Sequence, residues 1–521
     1  MVMEETERNL REKIEQEAKN TLKKNMWEGY ANDILTGLQK NPGVQPDRPI
    51  WELVQNARDV AYENKKTKIV FIRKQDHFVF QHNGQPFTRT TLQSLILQTS
   101  SKVREDIIQV GQYGTGFLTT HKFGLDFRLS GSLSLLGGLK FYNFSGRDFI
   151  IKRSAQDKVK LSDDLDATIA KTQQWGLDLN FLEDNPRRET IFEYQHNFNA
   201  ERENTKIAIK EAPKLVPYVL ALNKHIESIS FIDEVEGAKE ESFTFQNEEI
   251  YDNLENLRVY ETTILHSQSG QKDKIISLFL LKSLRCLEEK TGESKFTIIL
   301  PFKKISEGLK VFNFDNSIPR LYLYLPLLGS KDWGGNFLFH SPSFTCDQDS
   351  RDSIMLRFNP QAEVHHDQIN KDIIREASDA LKKYLTYKYL NLTDVRFLCP
   401  INFVKGKSDN ETNQYYQELQ KEWVSFFECL NLVEYEDGKT IPVKSIRVLS
   451  NELYLACEQD VSLLDAIYNL LSKAVHLILP KKEELLFWSK VINEWYVDNE
   501  AENLHIISID SLVFDTRNNY Y

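Results

Sequence analysis

The sequence predicts an α+β protein, and three observations carry that prediction. Helix-period segments and β-rich runs are mixed through residues 1–205, a second α/β stretch covers 206–355, and from 356 the pattern turns mainly helical. Alternation of this kind packs helices on sheets rather than building a pure bundle or sandwich. A length of 521 residues is compatible with those three divisions as domains. The 41% hydrophobic and 27% charged content is that of an ordinary globular chain.

The elements follow in order. Residues 3–26 read as a polar, charge-rich helix and 27–38 as a second one. The stretch N-P-G-V-Q-P-D-R-P at 41–49 is rich in breakers. Asp47 as N-cap and Pro49 in the first turn then start a helix over 50–64. Strands at 67–73 and 77–81 are joined by the short link Lys74-Gln75-Asp76, as in a hairpin. Residues 88–98 read as helix, and a polar stretch leads into a glycine cluster at 111–116. Strands follow at 127–135, 139–144 and 190–195. A helix over 208–226 bridges into the second region, whose strands include 296–300 and 321–325. The last region holds helices at 371–389, 413–430, 461–477 and 482–495.

Bulk properties exclude several classes. The net charge of −11 argues against a duplex-DNA binder, which carries a basic footprint. The charged start has no apolar core of a secretory signal. No apolar run approaches the roughly 20 residues that span a bilayer. The five cysteines are scattered with no CxxC pair, which disfavours a zinc site or a disulfide framework and suits a reducing compartment. A cytoplasmic location is the expectation.

Chemistry concentrates in three segments. In W-E-L-V-Q-N-A-R-D-V-A, Glu52, Asn56 and Asp59 sit at i, i+4 and i+7, one stripe of a helix whose Leu53, Ala57, Val60 and Ala61 can pack on a sheet. Polar groups along such a stripe need partners, which an ion and a nucleotide would supply; a solvated helix with a charged face has the same pattern. In F-Q-H-N-G-Q-P-F, His82 and Gly84 follow a strand; an ordinary Asn-Gly turn fits as well. In G-Q-Y-G-T-G-F, the glycines of Gly111, Gln112, Tyr113, Gly114, Thr115, Gly116 and Phe117 let backbone approach a phosphate. A helix from Phe117 would aim its free N–H groups at the anion. No Gly-Lys-Ser/Thr follows, so the loop is not of the Walker type.

In this order and at similar intervals, the three segments resemble the motifs of the GHKL ATPases, the superfamily of gyrase, the heat-shock chaperones, histidine kinases and MutL. The resemblance implies a Bergerat α/β sandwich over 1–205 that binds ATP and Mg²⁺. It implies Glu52 as general base and Asn56 as metal ligand, with Asp59 in support. An amide oxygen suits a hard cation. His82 stands where the family has the adenine-reading Asp, and Pro86 replaces its second glycine. A neutral His can accept one hydrogen bond, a contact expected to weaken on protonation near neutral pH. The resemblance further implies a lid between Leu92 and Val110, with Ser100, Ser101 and Lys102 on phosphate. It places Thr190, in E-T-I-F-E-Y, beneath the adenine; β-propensity alone also explains a Thr there.

R-L-Y-L-Y-L-P-L at 320–327 and F-L-F-H at 337–340 resemble sacsin-type GHKL proteins. They imply an α/β middle domain that couples to nucleotide. Arg351, in D-S-R-D-S, is the candidate for the γ-phosphate, since a guanidinium binds phosphate oxygens in a bidentate way. The resulting expectation is a slow Mg²⁺-dependent ATPase and conformational switch, a homodimer acting on a protein client or effector. Its setting would be chaperone-like, or a sensor in bacterial stress or phage defence. The alternatives are a nucleotide-binding regulatory module without turnover and a MutL-like DNA clamp.

Overall fold

The computed structural model describes residues 2–40, 43–99, 116–287, 292–347, 352–358, 360–361, 364–403, 410–436, 439–473, 478–496 and 506–508. Contacts divide the chain into two compact units. The first comprises Met1–Asn247 with Thr263–Ile276, and the second Glu248–Thr262 with Ser277–Tyr521. The fold is mixed α/β, as expected.

The first unit opens with α1 (Val2–Gln39). It is one helix, not the two expected. Nothing between Met26 and Trp27 breaks it, and Trp27, Ala31 and Ile34 bury its C-terminal third. α2 (Arg48–Asp59) follows, then β1 (Thr67–Arg73), β2 (His77–His82) and α3 (Arg89–Leu97). α2 ends five residues short of the expected helix (64 − 59), because Glu63 to Lys65 turn tightly and Tyr62 bridges Lys65. Asp47 is its N-cap position but makes no side-chain cap hydrogen bond. β3 (Phe127–Leu135), β4 (Lys140–Phe144), β5 (Ile150–Ile151), α4 (Lys158–Gln174), β6 (Leu182–Glu183) and β7 (Thr190–Gln195) come next. The expected bridging helix is two helices, α5 (Asn199–Glu211) and α6 (Val216–Leu222), leading into β8 (Ile226–Asp233).

These strands lie in the order β8-β1-β2-β7-β3-β4-β6. β1 and β8 are parallel and the other pairings antiparallel. Phe78, Phe80 and His82 share one face of β2, and each meets a β7 residue across the ladder: Tyr194, Phe192 and Thr190. Phe71 on β1 stacks on Phe80 and Phe231, each at 5.4 Å between ring centroids. Such pairs contribute about 0.5–1.5 kcal/mol each beyond their buried area. The aromatic ladder therefore fixes the register, and with it the position of the polar rung His82/Thr190 at its end.

Three long strands, β9 (Lys239–Leu254), β10 (Leu257–Gln268) and β11 (Lys274–Ser283), each give one part to either unit. Polar and charged residues fill much of β9 and β10, which hid those two from the hydrophobic pattern. The second unit continues with β12 (Thr297–Leu300), β13 (Phe302–Ile305), β14 (Gly308–Val311), β15 (Leu321–Leu323), β16 (Leu325–Pro326) and β17 (Leu338–His340). The single strand expected over 321–325 is broken at Tyr324, which stands at φ +60°. Then come α7 (His366–Lys388), β18 (Leu392–Thr393), α8 (Asn410–Glu428), β19 (Asn431–Glu436), β20 (Lys439–Pro442), β21 (Val448–Leu449), α9 (Asn451–Gln459), α10 (Val461–Leu471), α11 (Lys482–Trp495) and β22 (Ile506–Ile507). Trp423, Phe427 and Trp488 lead one core, and α9 and α10 close over a smaller one. Among the described residues, no helix is long and apolar enough to cross a membrane.

Candidate functional site

α2 buries Ile50, Trp51, Leu53, Val54 and Ala57, so its remaining stripe carries Arg48, Glu52, Gln55 and Asn56, all half-buried. The Glu52 carboxylate takes a hydrogen bond from Arg48 at 3.3 Å, in an ion pair whose side chains are 13% and 15% exposed. On its other side Glu52 meets the backbone of Gly116. A Cβ there would stand 2.2 Å from Glu52 Oε2, so a side chain at this position would push the carboxylate from its seat. The side-chain amide of Asn56, one turn on, has no hydrogen-bond partner among the described residues. Asp59 is different: its carboxylate is 1% exposed and held by Arg58 at 3.2 Å, inside the unit rather than on the open stripe.

The turn after β2 is sewn to the end of α2. Gln85 N–H donates to the Val60 carbonyl at 2.7 Å, and the Gln85 amide donates to the Ala61 carbonyl at 2.8 Å. Gly84 lies so close that a Cβ would stand 2.7 Å from Val60 Cγ2. Pro86 fits the chain there, between residues 85 and 87, whose N–H groups are both used. Lys68 N–H donates to Asn83 Oδ1 at 2.7 Å and fixes the turn from below.

The His82 ring is buried beside this turn. Its Nδ1 accepts the Gly84 N–H at 3.2 Å, so the ring proton sits on Nε2. The ring therefore offers an N–H donor and not an acceptor for an adenine amino group. Burial pushes its pKa down to about 4, so it does not titrate near neutral pH. Thr190 lies directly opposite on β7 and is buried.

Where a helix from Phe117 is expected, Gly116 to Lys122 form a seven-residue 3-10 helix. Phe117 packs against His121, Phe127 and Phe192, which anchors that segment on the sheet. Ser100, Ser101, Lys102, Gly111, Gln112, Tyr113, Gly114, Thr115 and Arg351 lie outside the described residues, as does most of the proposed lid.

Sequence reasoning missed three residues here. Arg48 was readable, since it stands four before Glu52 on one helix. His121 and Arg153 were not, because each is a buried polar group whose partners are backbone carbonyls. His121 Nδ1 donates to the Leu125 carbonyl at 3.0 Å, and burial next to Arg153 drives its pKa down to about 3. The Arg153 guanidinium donates to the carbonyl of Ile96 at the end of α3. Among the described residues no cluster of His, Cys, Asp and Glu could hold a metal by itself. A Mg²⁺ here would depend on Asn56 and on phosphate oxygens, a donor set that suits it.

No family model matches the chain, and no curated protein does. Among solved structures it is similar to the ATPase region of Saccharomyces cerevisiae topoisomerase II bound to ICRF-187 (dexrazoxane). The TM-score is 0.21 and the identity 12%, over 39% of this chain and 59% of that one. The match thus spans less than two thirds of the topoisomerase region, and at that score the assignment of function rests on the chain's own residues.

Proposed function

We propose that the first unit binds ATP with Mg²⁺ and hydrolyses it slowly. The observation that carries this reading is the seating of the Glu52 carboxylate against the Gly116 backbone. Two sequence-distant motifs meet there, one with a base and one with a backbone that tolerates close approach. In this reading Glu52 accepts the proton of the attacking water, within hydrogen-bond reach. Asn56 holds the metal through its amide oxygen, and Mg²⁺ supplies charge neutralisation on the phosphates. Gly84 and the glycines Gly111, Gly114 and Gly116 line the nucleotide, Asp59 steadies the helix through Arg58, and Lys102 and Arg351 contact phosphate. Thr190 and His82 contact the base, with His82 as donor to an adenine ring nitrogen. The hydrolysis cycle would switch the state of a protein client or effector, in a homodimer, in a chaperone-like or a bacterial stress or phage-defence setting.

A second reading, a nucleotide-binding module without turnover, is favoured by Arg48. A carboxylate oxygen already engaged by a guanidinium is less open to a water. Mg²⁺-dependent hydrolysis and binding, measured for ATP and GTP on the wild type and on Glu52→Ala, separate the two. The ATPase reading expects Glu52→Ala to keep binding and lose about 10²-fold or more in rate. Binding without turnover in both proteins selects the second reading, and no binding of either nucleotide removes both.

A further inference from the structure

The sheet register sets a row of residues on its core face. His82 on β2 meets Thr190 on β7, and Gly131 on β3 pairs with Phe144 on β4. A Cβ on Gly131 would stand 3.6 Å from Thr190 Oγ1, 3.6 Å from Phe87 and 3.2 Å from Phe144, so the glycine leaves room beside the hydroxyl. A glycine inside a strand marks a place of close approach. One step inward, Phe80 and Phe192 floor the row. Phe192 lies 6.3 Å from the His82 ring and 6.1 Å from the ring of Phe117, the neighbour of Gly116. One aromatic ring thus joins the row to the segment that seats Glu52.

His82 and Thr190 are 5% and 4% exposed, and each keeps one side-chain polar atom without a protein partner among the described residues. The Gly84 N–H occupies His82 Nδ1 at 3.2 Å, which leaves Nε2–H as a fixed donor. Burial keeps that ring neutral. The Thr190 hydroxyl can donate or accept. Buried polar atoms need partners, and the edge of a base supplies two at once. Resting on the nucleotide reading above, we propose that His82 and Thr190 read the base edge in a way that takes 6-amino and 6-oxo purines alike. Adenine presents ring N1 as an acceptor beside its 6-amino donor. A 6-oxopurine presents O6 as an acceptor beside N1–H as a donor. Against either edge His82 Nε2–H donates to the acceptor, and Thr190 Oγ1 accepts from the donor. Both bases therefore make the same number of hydrogen bonds. A side chain at 82 that only accepts would discriminate, because it pairs with the amino group and meets O6 with no proton between them.

Inosine triphosphate is the probe, because it differs from ATP only at this edge. The test is calorimetric titration of the full chain with each nucleotide and Mg²⁺. The two dissociation constants are expected to agree within about fivefold, less than one neutral hydrogen bond is worth at most. His82→Asp is expected to keep ATP and to weaken inosine triphosphate by about tenfold or more, the penalty of a buried O6 left unpaired. An Asp there can still accept the Gly84 N–H, and a circular dichroism melt checks that the variant folds. If it does not fold, Thr190→Val decides. That change removes the hydroxyl and is expected to weaken both nucleotides by about fivefold with their ratio unchanged; wild-type affinities overturn the proposal. A wild type that prefers ATP by more than about fivefold overturns it and leaves the ATP reading standing. A folded His82→Asp with an unchanged ratio does the same. Binding of neither nucleotide removes the ATP reading and the proposal together.

Discussion

Arg48 shows how one side chain sets the chemistry open to another. Its hydrogen bond at 3.3 Å occupies an oxygen of Glu52 that a water would otherwise use. A half-buried pair of this kind is worth about 1 kcal/mol. Arg48→Ala is therefore expected to raise ATP hydrolysis about fivefold with nucleotide affinity unchanged, read from single-turnover rates beside binding isotherms. A fall in rate would instead make Arg48 the residue that aims the base. At this scale the sequence showed residue type and spacing. Glu52, Asn56 and Arg48 are visible as a helical stripe, because 3.6 residues per turn is regular. The tautomer of His82 was hidden, because it is set by a backbone N–H two residues on, in a turn whose geometry spacing does not encode. Asp59 sits on the same stripe by count, yet the adjacent Arg58 draws it inside.

Elements were most legible where one face is apolar. β1, β3 and β7 begin and end where alternation predicts, since each buries every second residue on the core side. The strands β9 to β11 and the helix α4 were not anticipated. α3 offers a test of what holds such a short helix. Thr88 Oγ1 accepts the Thr91 N–H at 3.1 Å, and Thr91 Oγ1 accepts the Thr88 N–H at 2.9 Å. Nine residues propagate poorly on their own, so this reciprocal cap matters. Thr88→Ala is expected to cost about 1 kcal/mol, seen as a lower denaturant midpoint with an unchanged slope. A change under a few tenths would mean that Arg153 at the other end suffices.

For the molecule as a whole, buried histidines couple stability to pH. Burial lowers His82 and His196 to about 4 and His121 to about 3, from an ordinary 6.5. Between those limits the unfolded chain binds more protons than the folded one, so stability falls as pH drops from about 6.5 towards 4. Melting temperatures across that window should decline, and His82→Gln should flatten part of the slope. A flat wild-type profile would mean that these rings reach solvent. Domain extent was the least legible property, because packing and not composition decides which segments belong together.

The first unit is also not one stretch of polypeptide. Thr263–Ile276 returns to it after the chain has left. There the ring of His266 stacks on Phe243 at 4.4 Å and its Nε2 pairs with Glu241 at 2.8 Å. A gene fragment stopping at 247 would express this unit without that returning segment and leave β9 with a bare edge open to other chains. A fragment that runs to 276 carries the missing piece, but brings with it a length of chain whose packing partners were left in the other half of the gene.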